Sequence, residues 1–333
     1  MVFRADAQGR DPILAVVGPT ASGKSALGLA LADATGGEIV SCDSVQVYRG
    51  LDIGSGKASA AEQARVPHHL IDVVSPRETF HAARYATLAT EAITAILARG
   101  RLPILVGGTG LYYRALVRGL FDAPPPDAAI RARHQEEAAR FGVERLHGRL
   151  AAVDPRAAAR IMPRDLVRIS RALEIHELTG QPISQLWEVA ASKSQVRAFT
   201  VLLSPPLPAL RALIEARVEA MMASGFLEEV RHLRQIHGED APALGALGYK
   251  QLGAHLAGGT TLAAAVNETK VATVAYARRQ RTWFREGKEE IGCVLAPRGA
   301  PEAAALVPEV LEGFRRARQV AAPPASSAGF PGR

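Results

Sequence analysis

The sequence predicts an α/β fold, a parallel sheet flanked by helices, with an all-helical domain inserted into it. Three observations carry that prediction. Short all-apolar runs alternate with helix-patterned stretches, which is how a sheet buried on both faces reads. The first run opens directly into a glycine-rich turn and a helix. A proline-rich break at 122–132 (DAPPPDAAIRA) then precedes a long stretch rich in Ala, Arg and Glu with few β-branched residues.

Taken in order, residues 13–17 (ILAVV) form the first strand, followed by the turn and a helix from Lys24 to Ala34 (KSALGLALADA). Glu38 to Cys42 (EIVSC) is the second strand and ends at Asp43. Leu70 to Val74 (LIDVV) is a further short apolar run, His81 to Arg99 a helix, and Pro103 to Val106 (PILV) a strand closing in Gly107-Gly108. Three prolines cannot sit in a helix interior or a central strand, so the rhythm breaks there. From Asp127 to about Val189 the pattern is helical. Phe199 to Leu203 (FTVLL) returns as a strand that rejoins the sheet, and the remainder to Arg318 is mainly helical. The domain reading is a core of residues 10–121 and 196–318, an inserted helical domain at 122–195, and a Pro/Ser/Gly-rich tail at 319–333 expected to be disordered.

A chain of 333 residues suits about two domains. Its 48% hydrophobic and 22% charged residues are globular composition, which excludes a disordered or fibrous chain. The only cysteines are Cys42 and Cys293, too few for a disulfide scaffold or a cysteine-rich zinc module. No apolar run reaches the ~18 residues that span a bilayer. The N-terminus (MVFRADAQGRD) lacks an apolar signal core. A reduced, cytoplasmic protein with no membrane partner is therefore expected. Lys plus Arg number 40 against 33 Asp plus Glu, a formal charge of +7. That excess is modest for this length and becomes informative only where the basic residues cluster.

Gly18-Pro19-Thr20-Ala21-Ser22-Gly23-Lys24-Ser25 matches G-x-x-x-x-G-K-[ST] in full, directly after a strand and opening a helix. Glycines let backbone amides turn inward, the helix N-terminus adds partial positive charge, and Lys24 neutralises phosphate oxygens. Ser25 would offer its hydroxyl to Mg²⁺, so a di- or triphosphate binds here. Hydrolases of this class usually present a second-strand Asp to the metal, yet PILV ends in Gly107-Gly108-Thr109-Gly110 with no acid. The first acid at a strand end is Asp43. Ligands in such sheets sit beyond the carboxyl ends of strands, so Asp43 is a candidate metal ligand or general base. A plain N-cap role is the competing reading, since Asp43-Ser44 precedes a turn. Thr109 is a candidate hydroxyl at the same rim or a cap for the next helix. Arg217, in LIEARVEAMMASGF, reads by itself as a solvated helix face, and Lys57 in DIGSGK is similar. His68 and His69 read as structural, with no ligand spacing for zinc.

Basic residues do cluster. Arg164, Arg168 and Arg171 recur at intervals of four and three in the inserted domain, with Arg131 and Arg133 at its start. Near the C-terminus, RRQRTWFR (Arg278 to Arg285) packs four arginines around an indole and a phenyl ring. Arginines bind phosphates and aromatics offer stacking platforms, the pairing expected for unstacked nucleotides. A helix with a charged face and Trp283 in the core is the competing reading.

GPTASGKS, SCDSVQVYRGLDIGSGK, PHHLIDVVSP, LPILVGGTGLY, DLVRISRALEI, LGYKQ and RRQRTWFR occur in one order across the chain. This series resembles the tRNA dimethylallyltransferase (isopentenyltransferase) family, apart from the two ends. The resemblance implies a phosphate-binding-loop NTPase-like sheet put to group transfer. The family moves a dimethylallyl group from its diphosphate to the exocyclic amine of the adenine 3′-adjacent to the anticodon, in tRNAs reading codons that start with U. It implies that Asp43 and Thr109 are catalytic, with Asp43 orienting the amine and taking its proton and Thr109 contacting the target nucleotide. It further implies that Gly18 to Ser25 and Arg217 hold the diphosphate with Mg²⁺ on Ser25. By the same resemblance tRNA contact maps onto Asp43, Ser44, Val45, Gln46 and Thr109, and in the inserted domain onto Arg131, Val167, Arg168, Ile169, Ser170 and Arg171. It maps also onto Gly245, Ala246, Leu247, Gly248, Tyr249 and Lys250, and onto Arg278, Arg279, Gln280, Arg281, Thr282, Trp283, Phe284 and Arg285. The implied partners are tRNA and dimethylallyl diphosphate, the adenine leaves its stack to react, and the enzyme is a monomer. Ala58 stands where the family commonly has Pro, and GALGYK is less charged than the family's usual version. A phosphate-loop small-molecule kinase using ATP, or an RNA-binding protein without transfer chemistry, are the alternatives.

Overall fold

The computed structural model describes residues 13–119, 124–192, 196–285 and 291–321. Contacts divide the chain into two compact units, one drawn from Met1–Val117 and Gln195–Arg333, the other Arg118–Ser194.

The first unit is built on six parallel strands: β1 (Ile13–Val17), β2 (Glu38–Cys42), β3 (His68–His69), β4 (Pro103–Gly107), β5 (Ala198–Leu203) and β6 (Ile291–Leu295). Their order is β3-β2-β4-β1-β5-β6. Leu14 of β1 pairs with Ile104 on one side and Phe199 on the other. β1, β2 and β4 are buried throughout, the physical origin of their apolar sequences. Glu38 is the exception, a buried carboxylate that accepts from Arg99 Nη2 at 2.6 Å and lies 2.7 Å from His69 Nε2. His69 is thus structural, as expected.

Fifteen helices accompany the strands among the described residues. α1 (Lys24–Thr35), α2 (Ala60–Arg65), α3 (Ala82–Ala98) and α4 (Gly110–Arg118) follow the first strands. α5 (Ala128–Phe141), α6 (Val143–Val153), α7 (Pro155–Ala158), α8 (Leu166–Thr179) and α9 (Ile183–Ser192) make up the helical second unit. After β5 come α10 (Leu207–Ala223), α11 (Phe226–His237), a 3₁₀ turn at Pro242–Gly245, α12 (Tyr249–Leu256) and α13 (Leu262–Trp283). α14 (Ala300–Ala305) and α15 (Val307–Ala321) close the chain.

The first unit has two main cores. One joins the sheet to α1, α14 and α15 through Leu14, Val16, Leu27, Ile104, Val310 and Phe314. The other seats α11, α12 and the start of α13 on the segment after β2, through Val47, Leu51, Phe226, Val230, Tyr249 and Leu252. The second unit closes around Leu146, Leu150, Ile169, Leu173 and Ile175. Asp127, Asp154 and Asp165 cap its α5, α7 and α8 through side-chain bonds to backbone amides.

Two elements differ from expectation. LIDVV is not a strand: Leu70 and Asp72 take positive φ of 63° and 57°, and Val74 makes only an isolated bridge to Tyr48. The edge strand is His68–His69 instead, paired with Ile39 and Val40. The remainder after β5 is mainly helical, as expected, but it holds one unforeseen strand, since IGCVL forms β6 and pairs in parallel with β5. α15 runs to Ala321, and the rest of the expected tail lies outside the described residues. No described helix is long and apolar enough to cross a membrane.

Candidate active site

β1 delivers the chain into the phosphate loop, and α1 begins at Lys24 with Gly23 as its N-cap. Gly23 sits at φ 89°, a conformation suited to glycine, and a Cβ there would lie 2.6 Å from that of Ala303 on α14. The turn therefore aims backbone amides and a helix N-terminus at one point, an anion site by construction. The Ser22 hydroxyl is 1% exposed and has no hydrogen-bond partner, a demand that an anionic oxygen meets. Lys24 Nζ donates to the Pro19 carbonyl at 2.5 Å. Burial pulls its pKa from 10.5 to about 7, with Asp43 opposing the fall and Arg217 adding to it. Lysine, carboxylate and guanidinium thus act on one another in a single field.

Asp43 follows β2 directly. Its Oδ1 accepts from the amides of Val45 at 2.8 Å and Gln46 at 3.3 Å. The turn-capping role and a place on the crevice wall therefore coexist. Beside it, Thr109 ties the ends of β2 and β4 together: its amide donates to the Cys42 carbonyl at 3.2 Å, and its Oγ1 accepts from the Ser44 amide at 3.1 Å. Its own carbonyl accepts from Tyr112 and Tyr113 at the start of α4. Tyr276 of α13 lines the same crevice, and burial, then Asp43, push its phenol up to about 12. Cys42 is a buried thiol, pushed up to about 12 mainly by burial, which makes it inert packing.

Arg217 is no solvated residue. It lines the crevice from α10, burial lowers its pKa, and Asp43 opposes that shift. The crevice has a volume of ≈ 1150 Å³, more than one small ligand needs. Its walls carry the phosphate loop, Asp43 to Gln46, the loop Asp52 to Lys57, Arg217, Met221, Ala246 to Gly248 and Tyr276. Lys57 is a structural pin, only 3% exposed, with Nζ donating to the Tyr48 carbonyl at 3.0 Å, Asp52 at 2.5 Å and Asp72 at 2.6 Å.

The RRQRTWFR segment divides by direction. Gln280 is buried: its Oε1 accepts from the Thr20 amide and its Nε2 donates to the Gly108 carbonyl, both at 2.8 Å. Its amide is thereby committed to the phosphate loop and the end of β4. Phe284 packs edge-on against Tyr113 at 5.5 Å, and the Arg114 guanidinium lies 4.4 Å from the Trp283 ring. Arg281 donates to the Pro205 carbonyl at 2.7 Å. Arg278, Arg279, Thr282 and Arg285 are exposed. In the stretch 245–250, Ala246 to Gly248 reach the crevice, Tyr249 is buried, and Gly245 and Lys250 are exposed.

In the second unit, the fully buried Glu174 carboxylate accepts from Arg131 Nε at 3.0 Å and Arg171 Nη1 at 2.6 Å. Burial alone raises the Glu174 pKa, but the two arginines and the Asp127 amide outweigh it and hold the carboxyl below its usual range. Val167 is 80% exposed, whereas Ile169 and Ser170 are buried, and Ser170 Oγ lies 3.0 Å from His134 Nδ1. Side chains at 169 and 170 are therefore spent on packing. Arg164 precedes α8, which starts at Leu166, so the expected row of three arginines reduces to Arg168 and Arg171. Sequence reasoning missed Tyr276, which stands one helical turn before Gln280, a spacing that marks a shared face.

A phosphate loop opposed by a strand-end carboxylate, in a crevice roomy enough for a second reactant, defines a phosphate-loop transferase. The chain belongs to the IPP transferase family, whose model matches residues 46–287. It is 51% identical to the tRNA dimethylallyltransferase of Anaeromyxobacter dehalogenans over 295 residues, covering 88% of this chain and 97% of that one. It is 49% identical to the tRNA dimethylallyltransferase of Halorhodospira halophila over 82% of this chain and 90% of that one. Its fold resembles the crystal structure of the full-length tRNA isopentenylpyrophosphate transferase from Bacillus halodurans, with a TM-score of 0.67 at 35% identity, covering 93% of this chain and 98% of the other.

Proposed function

We propose that this chain transfers a dimethylallyl group from dimethylallyl diphosphate to the exocyclic amine of the adenine 3′-adjacent to the anticodon, in tRNAs reading codons that start with U. The observation that carries the reading is the placing of Lys24, Arg217 and Asp43 on one crevice in mutual electrostatic reach. The amine nitrogen attacks the allylic carbon, the carbon–oxygen bond breaks, and diphosphate leaves with the electron pair. Lys24, the loop amides and Arg217 stabilise the charge growing on the leaving group. Asp43, its turn already set by the Val45 and Gln46 amides, orients the amine and takes the proton. Thr109, fixed by the Ser44 amide, contacts the target nucleotide. Tyr276 stays protonated at neutral pH and closes the wall beside Asp43.

The donor set suits Mg²⁺. No group of three His, Cys, Asp or Glu residues is placed to cage a metal among the described residues, and the loop offers the Ser25 hydroxyl. Mg²⁺ is held in that way, by few protein oxygens together with substrate phosphates and water. When bound it supplies charge neutralisation to the diphosphate oxygens.

The tRNA is read by the exposed groups: Arg278, Arg279, Thr282, Arg285, Lys250, Val167 and Arg168, with Arg131 and Arg171 held by Glu174. The same reading takes the enzyme as a monomer acting on tRNA in the cytoplasm. The test is mass spectrometry of unmodified tRNA incubated with protein, Mg²⁺ and dimethylallyl diphosphate, beside a parallel reaction with ATP. A gain of one dimethylallyl group on an anticodon-loop adenosine is expected. Phosphoryl transfer from ATP without prenylation would return the loop to a kinase.

A further inference from the structure

Glu229, on α11, lies outside every motif of the sequence and holds the crevice loop from behind. Its Oε2 accepts from the amides of Asp52 at 3.1 Å and Ile53 at 2.6 Å, and its Oε1 from the amide of Gly54 at 3.1 Å and the Tyr249 hydroxyl at 2.6 Å. Burial and the adjacent carboxylate push the Tyr249 phenol far above its usual range, so it remains a donor. Four donors on one carboxylate exceed what a simple helix-surface glutamate takes.

The loop so held is a working surface. A Cβ on Gly56 would lie 1.8 Å from Arg217 Nη2, so the guanidinium rests where a side chain would stand. Gln46 Nε2 donates to the Gly56 carbonyl at 3.2 Å, while its Oε1 accepts from Ser41 Oγ at 2.9 Å and its amide bonds Asp43. Arg217 and Gln46 are therefore both registered against residues 52–56. Lys57 pins the far end of the same loop through Asp52 and Asp72.

We infer that Glu229 is a positioning residue: by fixing the 52–56 loop it seats Arg217 for the donor diphosphate and Gln46 for the turn that carries Asp43. The inference rests on the prenyl-transfer reading for the identity of the donor. It does not require Glu229 to touch either substrate. Arginine–phosphate recognition depends on fork geometry, so a seat displaced by an ångström lowers affinity without removing the arginine.

The test uses the full chain and inorganic diphosphate with Mg²⁺, read by calorimetry, beside kcat and KM for dimethylallyl diphosphate. E229A is expected to weaken diphosphate binding and raise KM by roughly tenfold, with a smaller fall in kcat. E229Q retains one acceptor oxygen and is expected to recover part of that loss; it carries the test if E229A does not fold. In an R217A background the E229Q penalty should largely vanish, because the two act through one seat. Additive penalties, or a folded E229Q with wild-type diphosphate affinity, would overturn the inference while leaving the transferase reading intact. Wild-type protein that binds no diphosphate would overturn both.

Discussion

The crevice of the first unit and the arginine surface of the second both suit phosphate, but their positive charge is compensated differently. In the crevice, Lys24 and Arg217 lie beside one carboxylate, Asp43, and burial pulls the pKa of each cation down. In the helical unit arginines share carboxylates: Glu174 takes Arg131 and Arg171, Glu177 takes Arg133 and Arg149, and Glu137 takes Arg145 and Arg149. The first arrangement gains by neutralisation when a small anion arrives. The second presents cations already partly balanced and fixed in direction, which gains less from bare charge and more from geometry. On the reading proposed above, the first suits capture of a diphosphate and the second suits fit to RNA.

The largest effect expected separates chemistry from capture. Asp43→Ala should lower kcat by about 10²–10⁴, the range for loss of a general base, with donor affinity retained. Single-turnover rates and diphosphate calorimetry distinguish the two, and an equal loss of donor affinity would move Asp43 into the phosphate site. Next, Lys24→Met should weaken diphosphate binding by roughly 10–100-fold, the loss of a charge-assisted contact, and still raise stability at neutral pH. The sign follows from the shift. With a folded pKa near 7 against 10.5, the unfolded chain binds more protons between these values, so this lysine costs stability below about pH 10 and the cost fades as pH rises from 7. Thermal melts of both proteins at pH 7 and pH 10 should therefore converge at the higher pH. Wild-type diphosphate affinity should also fall as pH rises through about 7, with proton uptake on binding above it.

How much of this could be read in advance differs between the same regions. The phosphate loop and Asp43 were legible because their chemistry is local: a strand, a glycine turn and a helix start within a few residues. The sheet was legible because buried parallel strands are continuously apolar. LIDVV deceived for a physical reason, since nothing in Leu70 or Asp72 announces a left-handed backbone. β6 was hidden by the long helical stretch before it. Lys57 reads as a surface lysine until Asp72 folds back onto it, and Glu229 reads as one of two adjacent glutamates. Its partners Asp52, Ile53 and Gly54 lie some 175–177 residues away, beyond any periodicity. In sequence Gln280 reads with its arginine neighbours as an RNA contact, but its burial shows which way that turn of α13 faces.

The helical unit offers a sharper break. Glu174→Ala leaves the part-exposed Arg131 and Arg171 beside a vacated site, and should cost about 1.5–3 kcal/mol, the range for hydrogen bonds to a charged group. Glu174→Gln should cost less and yet weaken tRNA binding, because both forks lose their anchor while their charge survives. Its pH signature follows from a lowered pKa: the stability is present above the ordinary glutamate range and is lost as pH falls through the folded value. Unaltered tRNA affinity in a folded Glu174→Gln protein would show that prefixed geometry contributes nothing.

The smallest effect expected concerns Arg168, whose Nη1 stands 3.5 Å from Asp165 with the side chain 58% exposed. If this face acts by geometry more than by net charge, Arg168→Ala should weaken tRNA binding only a few-fold and reduce the salt slope by about 1, the release of one counterion. Removing the compensating carboxylate should act in the opposite sense. Asp165→Asn, which keeps an oxygen to cap α8 through the Arg168 amide, should leave the fold intact and tighten binding at low salt while loosening preference for the cognate stem-loop. Filter binding across a salt series, with cognate and scrambled RNA side by side, reads both changes. Equal tightening for both RNAs together with a steeper slope would show that the carboxylates restrain non-specific attraction; no change in either would confine their role to holding the helices together.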